Sequence, residues 1–374
     1  KSMKAEFDDI RAYQDHEVND MLMSLLKDSE FLQFIATQQF PRLQRFFPAL
    51  IKGRIKKALK NQFKNVHSIQ TMQNKLEPFV QSLLDKTVTQ FNVTGIENLK
   101  KDQAYVFMSN HRDIAMDPML VNYALLKAGL STCKIAIGDN LIERPFVNKL
   151  MRLNKSFVVR RKLEGRKEKL AAVNHLSAYI HDSLKSGQSI WIAQKEGRAK
   201  DGKDVTDKAV LKMLHMAGRK LGWDFNESMN FLNLVPVTIS YEWDPCDEDK
   251  AKELDSIKQH GQYEKSQDED FLSIVKGIKG NKGQVSIHFS SPLNLDSSVP
   301  EQWSKAVDDS IHQNYHLYDN NKQAYDILNS DEIKAALANT VWQEKYGHLS
   351  DSAIQQIVST YAQPVALKQA VQSS

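Results

Sequence analysis

Ala104-Tyr105-Val106-Phe107-Met108 is an apolar run. Ser109-Asn110-His111-Arg112-Asp113-Ile114-Ala115-Met116-Asp117-Pro118 follows it, and then Met119-Leu120-Val121-Asn122-Tyr123-Ala124-Leu125-Leu126. The order predicts a short buried strand, a polar turn and a helix. A histidine at a strand-to-helix junction, with Asp113 and Asp117 close behind it, suits a general base with an orienting acid. The same residues also read as a polar turn with a solvated histidine. His111 and Asp117 are six residues apart, a spacing that does not share a helical face. A dyad between them therefore requires a loop or a first-turn bend.

Outward from this unit, short apolar runs recur at residues 90–93, 134–137, 156–159, 189–193, 233–241 and 284–289, separated by helical patterns. Strands alternating with helices predict an α/β fold with a central mixed or mostly parallel sheet flanked by helices. Residues 1–92 lack strand-like alternation; Val18, Met21, Leu22, Leu25 and Leu26 recur at helical spacing, as do Leu76, Phe79, Val80, Leu83 and Leu84. The chain divides on this reading into an N-terminal helical region (1–92), an α/β domain (93–298) and a C-terminal helical segment (299–374). Trp303, Val307, Ile311, Tyr315 and Tyr318 form the expected buried stripe of that last segment, and its final dozen residues read as a frayed tail. Residues 244–270 are expected as a solvated acidic excursion, and residues 277–283, rich in glycine, as a flexible loop.

Composition excludes several classes. With 50 Lys and Arg against 46 Asp and Glu, the net charge is only +4, so global charge identifies no partner. Cys133 and Cys246 belong to no Cys/His cluster, which argues against zinc or a disulfide framework and fits a reducing compartment. No apolar signal core follows Lys1-Ser2-Met3-Lys4, and no run approaches the roughly 18 apolar residues of a membrane span. The expectation is a soluble cytoplasmic protein without metal or cofactor.

Charge is nonetheless concentrated locally. Between Phe31 and Leu76 there is no Asp or Glu, while Arg42, Arg45, Lys52, Arg54, Lys56, Lys57, Lys60 and Lys64 accumulate. Phe46, Phe47, Leu50, Ile51, Ile55 and Leu59 are interleaved with them. Such a helix can lie on an anionic membrane surface, dock an acidic carrier protein, or pack its apolar face on a core. No RNP, zinc-finger or helix-turn-helix pattern accompanies the charge, so nucleic acid is not the expected partner.

Two further clusters carry chemistry. The run Ser156-Phe157-Val158-Val159 ends in Arg160-Arg161-Lys162, and a guanidinium at a strand end can grip phosphate bidentately. Ser189-Ile190-Trp191-Ile192-Ala193 leads into Gln194-Lys195-Glu196-Gly197-Arg198-Ala199-Lys200, where Gly197 frees the backbone and Arg198 adds positive charge. Gly197 to Lys203 imitates a phosphate-binding loop of ATPases, but Asp204 stands where Ser or Thr would hold magnesium. His111-Arg112-Asp113 imitates a kinase catalytic loop, yet Pro118 occupies the place of its Asn.

Taken in order, Asn110-His111 with Asp117-Pro118, the strand ending in Arg160, Glu196-Gly197-Arg198 and Val235-Pro236-Val237 resemble the four blocks of the glycerolipid acyltransferase superfamily, as a divergent bacterial-type member. The resemblance covers about residues 90–295. Five residues separate His111 from Asp117 where the family has four, with Asp113 as the alternative acid. Asn154 replaces the usual Gly of the second block, and the third lacks its Thr. The resemblance implies transfer of a fatty acyl group from acyl-CoA or acyl carrier protein, as co-substrate, to a hydroxyl of glycerol 3-phosphate or its 1-acyl derivative. It implies His111 as general base, Asp117 as its support, and Arg160, Glu196, Gly197 and Arg198 at the acceptor phosphate. It also implies a peripheral place on the inner face of the cell membrane, on an anionic surface. A non-phosphate lipid acceptor and an inactive lipid-binding relative are the alternatives.

Overall fold

Each predicted run forms a strand: β1 (Val88–Thr94), β2 (Val106–Ser109), β3 (Lys134–Gly138), β4 (Ser156–Val159), β5 (Ile190–Ala193), β6 (Leu234–Tyr241) and β7 (Gly283–Phe289). The computed structural model describes residues 5–374; Lys1-Ser2-Met3-Lys4 lie outside the described residues. The chain forms two compact units. One comprises the residues up to Gln81 together with Lys134–Ala172; the other comprises Ser82–Cys133 and Val173–Ser374. These units cut across the linear division at 92 and 298.

In the larger unit the strand order is β1-β7-β6-β2-β5. Only β6 and β7 run antiparallel; β1–β7, β2–β6 and β2–β5 are parallel, which makes the sheet mixed. Parallel neighbours require crossover connections, and helices supply them. Both β2 and β6 are buried along their whole length, as strands covered on both faces are. The helix Met116–Lys127 is buried on nearly every side, which explains its continuous apolar sequence. Pro118 sits in its first turn, where a missing N–H costs little.

The C-terminal segment belongs to this unit because it supplies core. Trp303, Val307, Ile311, Tyr315 and Tyr318 are all buried, as their spacing predicts. Three expectations need correction. The final dozen residues are no frayed tail: they continue the helix Asp351–Gln372 with Pro364 and Val365 buried, after Ile354, Ile357, Val358 and Tyr361 pack with Trp342 and Tyr346. Residues 244–270 are not merely a solvated excursion, since the helix Asp247–His260 occupies much of them and Asp247, Lys250 and Ala251 are buried. Gly277 to Lys279 end the helix Glu269–Lys279 rather than a flexible loop. Gly277 is there because its backbone presses on Asp113: a Cβ would lie 2.1 Å from that carboxylate.

The smaller unit pairs β3 and β4 in parallel through the helix Pro145–Leu153. The helices Asp15–Leu25, Ser29–Gln39 and Pro48–Gln62 belong to the same unit. Hydrogen bonds show why residues 134–159 join the N-terminal region. Val158 N–H donates to Ile10 O at 2.9 Å, Tyr13 N–H to Arg152 O at 3.1 Å, and Arg152 Nε to Arg11 O at 2.9 Å. Asp28 caps the helix that follows it by accepting from Phe31 N–H at 3.0 Å. In the basic helix, Ile51 and Ile55 face the core, one turn apart, while Phe46, Phe47 and Leu50 are exposed. Among the described residues, no helix is long and apolar enough to cross a membrane.

Candidate active site

The site lies in the larger unit, just beyond the C-terminal ends of β2, β5 and β6, the position where open α/β sheets bind ligands. β2 ends at Ser109, opposite Val237 of β6. Asn110 then continues the pairing with its side chain: its Oδ1 accepts from Ile239 N–H at 2.8 Å and its Nδ2 donates to Ile239 O at 2.9 Å. That amide occupies the place of a backbone rung and fixes where the chain leaves the sheet. His111 is the next residue. Its carbonyl accepts from Ala199 N–H at 2.8 Å, which ties the loop after β5 to it.

Asp117 turns back from the first helical turn to meet His111. Its Oδ2 lies 2.7 Å from His111 Nδ1 and accepts from Arg112 N–H at 2.6 Å and Asp113 N–H at 3.0 Å. Its Oδ1 accepts from the Tyr241 hydroxyl at 2.6 Å. Asp117 is wholly buried, so these four donors replace its water. Burial and Asp117 hold the Tyr241 hydroxyl well above its ordinary pKa, and it stays a donor. A carboxylate facing Nδ1 requires the proton there, which leaves Nε2 as the basic nitrogen. The ring also packs edge-on against Trp191, centroids 5.4 Å apart. Such a histidine can take a proton from a hydroxyl.

The residues between the pair absorb the long spacing as a turn. Asp113 accepts from Ala115 N–H at 3.2 Å and Met116 N–H at 2.9 Å, an Asx-type turn that starts the helix. Its carboxyl is committed to those amides, while Asp117 faces the imidazole. Burial and then the Asp117 charge push its pKa up to about 6. Arg112 turns away from solvent and grips Asp204 bidentately, Nε to Oδ1 at 3.0 Å and Nη2 to Oδ2 at 2.7 Å. Burial alone would lower the pKa of Arg112, but the Asp204 charge outweighs it and raises it.

Glu196, Gly197 and Arg198 follow β5 in this same unit. Gly197 has φ +77° and open space around the place of a Cβ. Glycine is needed there for left-handed backbone rather than for close approach. Arg198 Nη1 is buried and makes no hydrogen bond among the described residues. Arg160 belongs to the smaller unit, just past the end of β4, where its Nη2 meets Asp9 Oδ2 at 2.6 Å. Among the described residues, no group of three or more His, Cys, Asp or Glu side chains is placed to hold a metal ion.

Sequence reading passed over Asn110, Arg112 with Asp204, and Tyr241 as parts of the site. Asn110 and Tyr241 had a signal. One precedes the histidine directly, and the other ends the strand that begins Leu234-Val235-Pro236-Val237. The Arg112–Asp204 pair had none, because 92 residues separate its members.

Comparison with known proteins bears on the same segment. Residues 90–239 match the family model "Acyltransferase". The chain is similar to the glycerol-3-phosphate acyltransferase of Ectopseudomonas mendocina (strain ymp), 26% identical over 211 residues, or 56% of this chain and 24% of that protein. It is likewise similar to that of Shewanella denitrificans, 25% identical over 232 residues, 60% of this chain and 27% of the relative. The chain thus spans about a quarter of the length of these curated relatives. The crystal structure of the 1-acyl-sn-glycerophosphate (LPA) acyltransferase of Thermotoga maritima aligns with a TM-score of 0.40 at 15% identity, over 76% of this chain and 95% of that one.

Proposed function

We propose that this chain, whose residues 90–239 match the acyltransferase family model, moves a fatty acyl group from a thioester to a hydroxyl of glycerol 3-phosphate or its 1-acyl derivative. The observation that carries this reading is the 2.7 Å contact of His111 Nδ1 with the buried Asp117. His111 Nε2 takes the hydroxyl proton as that oxygen attacks the thioester carbonyl. Asp117 holds the tautomer and stabilises the imidazolium. The carbon–sulfur bond then breaks, and the imidazolium returns the proton to the thiolate of the leaving carrier, acyl-CoA or acyl carrier protein before the transfer. No covalent acyl-enzyme and no cofactor enter the scheme.

The similarity to glycerol-3-phosphate acyltransferases supports a phosphate-bearing acceptor, with Arg198 as its guanidinium. Glu196 and Gly197 precede Arg198 in sequence, and Arg160 is a further guanidinium open to an anion, since its half-exposed pairing with Asp9 is worth about 0–1 kcal/mol. The basic helix Pro48–Gln62 and the exposed apolar side chains before it support a peripheral place on an anionic membrane. Holding acceptor and thioester together contributes several kcal/mol of orientation.

The test is a matrix of donors, acyl-CoA and acyl carrier protein, against acceptors with and without phosphate, following ester formation and release of free thiol. Turnover on phosphorylated glycerol, lost in a folded His111→Ala, is expected. Turnover confined to acceptors without phosphate, or retained by His111→Ala, would contradict the reading.

A further inference from the structure

The smaller unit holds a cavity of about 240 Å³ that the proposed reaction does not use. Leu22, Leu25, Phe31, Phe63, Leu76 and Leu153 form much of its wall, and they come from four helices of that unit and, for Phe63, the residue just beyond another. Protein interiors are packed too closely to leave such space by default. An engineered apolar cavity of roughly 150 Å³ stays dry and takes up benzene, so this larger one, with Gln39, Gln62 and Asn154 as its polar lining, offers water little and a hydrocarbon a great deal. It is not sealed: Phe79 and Leu150 line it and remain 52% and 38% exposed.

The surroundings in sequence and on the surface point to the kind of chain that enters. Phe40, Leu43, Phe46, Phe47 and Leu50 are all exposed, Phe46 by 76%. Soluble surfaces rarely concentrate large apolar side chains in this way without a partner. The whole stretch between Phe31 and Leu76 carries no carboxylate, while nine Lys and Arg side chains fall within it. Cationic side chains with apolar neighbours favour an anionic bilayer surface.

We propose that this cavity binds one aliphatic chain bearing an anionic head group, drawn from an anionic membrane surface on which residues 40–60 rest. The chain fills the apolar space and the head group stays among the lysines and arginines. The site concerns the smaller unit alone and is read by binding, so it stands or falls independently of the catalytic reading.

The test titrates the full chain with oleate and with oleoyl lysophosphatidate, each below its micellar concentration, by calorimetry. One saturable site per chain is expected. Leu76→Trp, which fills the cavity, should weaken binding at least tenfold while the melting temperature holds. Equal affinity in that folded variant would overturn the proposal. Uncharged monooleoylglycerol should bind at least tenfold more weakly; equal binding would overturn the anionic part. Whichever anion binds more tightly identifies the source of the chain.

Should Leu76→Trp fail to fold, Phe79→Trp at the exposed rim decides. Trp191, Trp223, Trp243, Trp303 and Trp342 all lie in the larger unit, so the new indole is the reporter of the smaller one. Saturable quenching of its added emission by a doxyl-labelled fatty acid is expected. Quenching that never saturates, or none, would overturn the proposal.

Discussion

The Tyr241 hydroxyl donates to Asp117 Oδ1 across 2.6 Å, joining two wholly or nearly buried residues that are 124 positions apart in the chain. It makes the last residue of β6 a positioning residue for the carboxylate that faces His111. Tyr241→Phe keeps the ring and removes the donor. A hydrogen bond to a charged group contributes about 1.5–3 kcal/mol, and that loss should appear in urea denaturation. Turnover should fall by roughly tenfold or more with little change in KM, because the lost interaction orients the base rather than binding substrate.

Arg112 and Asp204 form the buried ion pair behind the site. Removing the arginine leaves Asp204 charged, buried and without its partner. Arg112→Met should therefore destabilise the fold by about 3–5 kcal/mol. The double variant Arg112→Met/Asp204→Leu should recover much of this. Equilibrium unfolding of both proteins checks the comparison.

Asp113 ties stability to pH. Its pKa is pushed from 3.8 up to about 6 by burial and by the neighbouring Asp117. The native state thus holds this proton more tightly than the unfolded chain does. Its contribution is complete below about pH 4 and is lost as pH rises to about 6. Asp247, raised to about 6 by burial and by Asp244, adds a slope of the same sign. Asp113→Asn still accepts from Ala115 and Met116. It should remove part of the fall and leave the variant about 2–3 kcal/mol more stable than the parent at pH 7. Denaturation curves at pH 4 and pH 7 measure both proteins.

Gly277 has no room for a side chain, since a Cβ would meet Asp113 Oδ2 at 2.1 Å and Oδ1 at 2.9 Å. Asp113 cannot yield without breaking the turn that starts the helix Met116–Lys127. Gly277→Ala should cost about 1–3 kcal/mol as an overpacked buried contact. It should also lower activity, by shifting the turn between His111 and Asp117. Unfolding and initial rates, measured together, test the linkage.

Much of the larger unit was legible because burial on two faces writes continuous apolar runs, as in Val106 to Met108 and Leu234 to Ile239. The His111–Asp117 meeting was legible as a requirement for a bend between them. What was not legible depends on partners far along the chain. Nothing near residue 134 announces that it packs on helices of residues 5–81; that follows from contacts such as Val158 with Ile10. The glycines of residues 277–283 looked like loop residues, whereas Gly277 is small because Asp113 needs the space. The last dozen residues read as frayed, because their buried Pro364 and Val365 are set among Gln and Ser.

The dyad is the centre of the account, and one measurement addresses it most directly: the acyl-transfer rate under single-turnover conditions for the parent, Asp117→Asn, Asp113→Asn and His111→Ala, each verified as folded. His111→Ala and Asp117→Asn should each lose roughly a hundred- to ten-thousand-fold, while Asp113→Asn should stay within about tenfold of the parent. An intact rate in Asp117→Asn, with the rate abolished in Asp113→Asn, would contradict it.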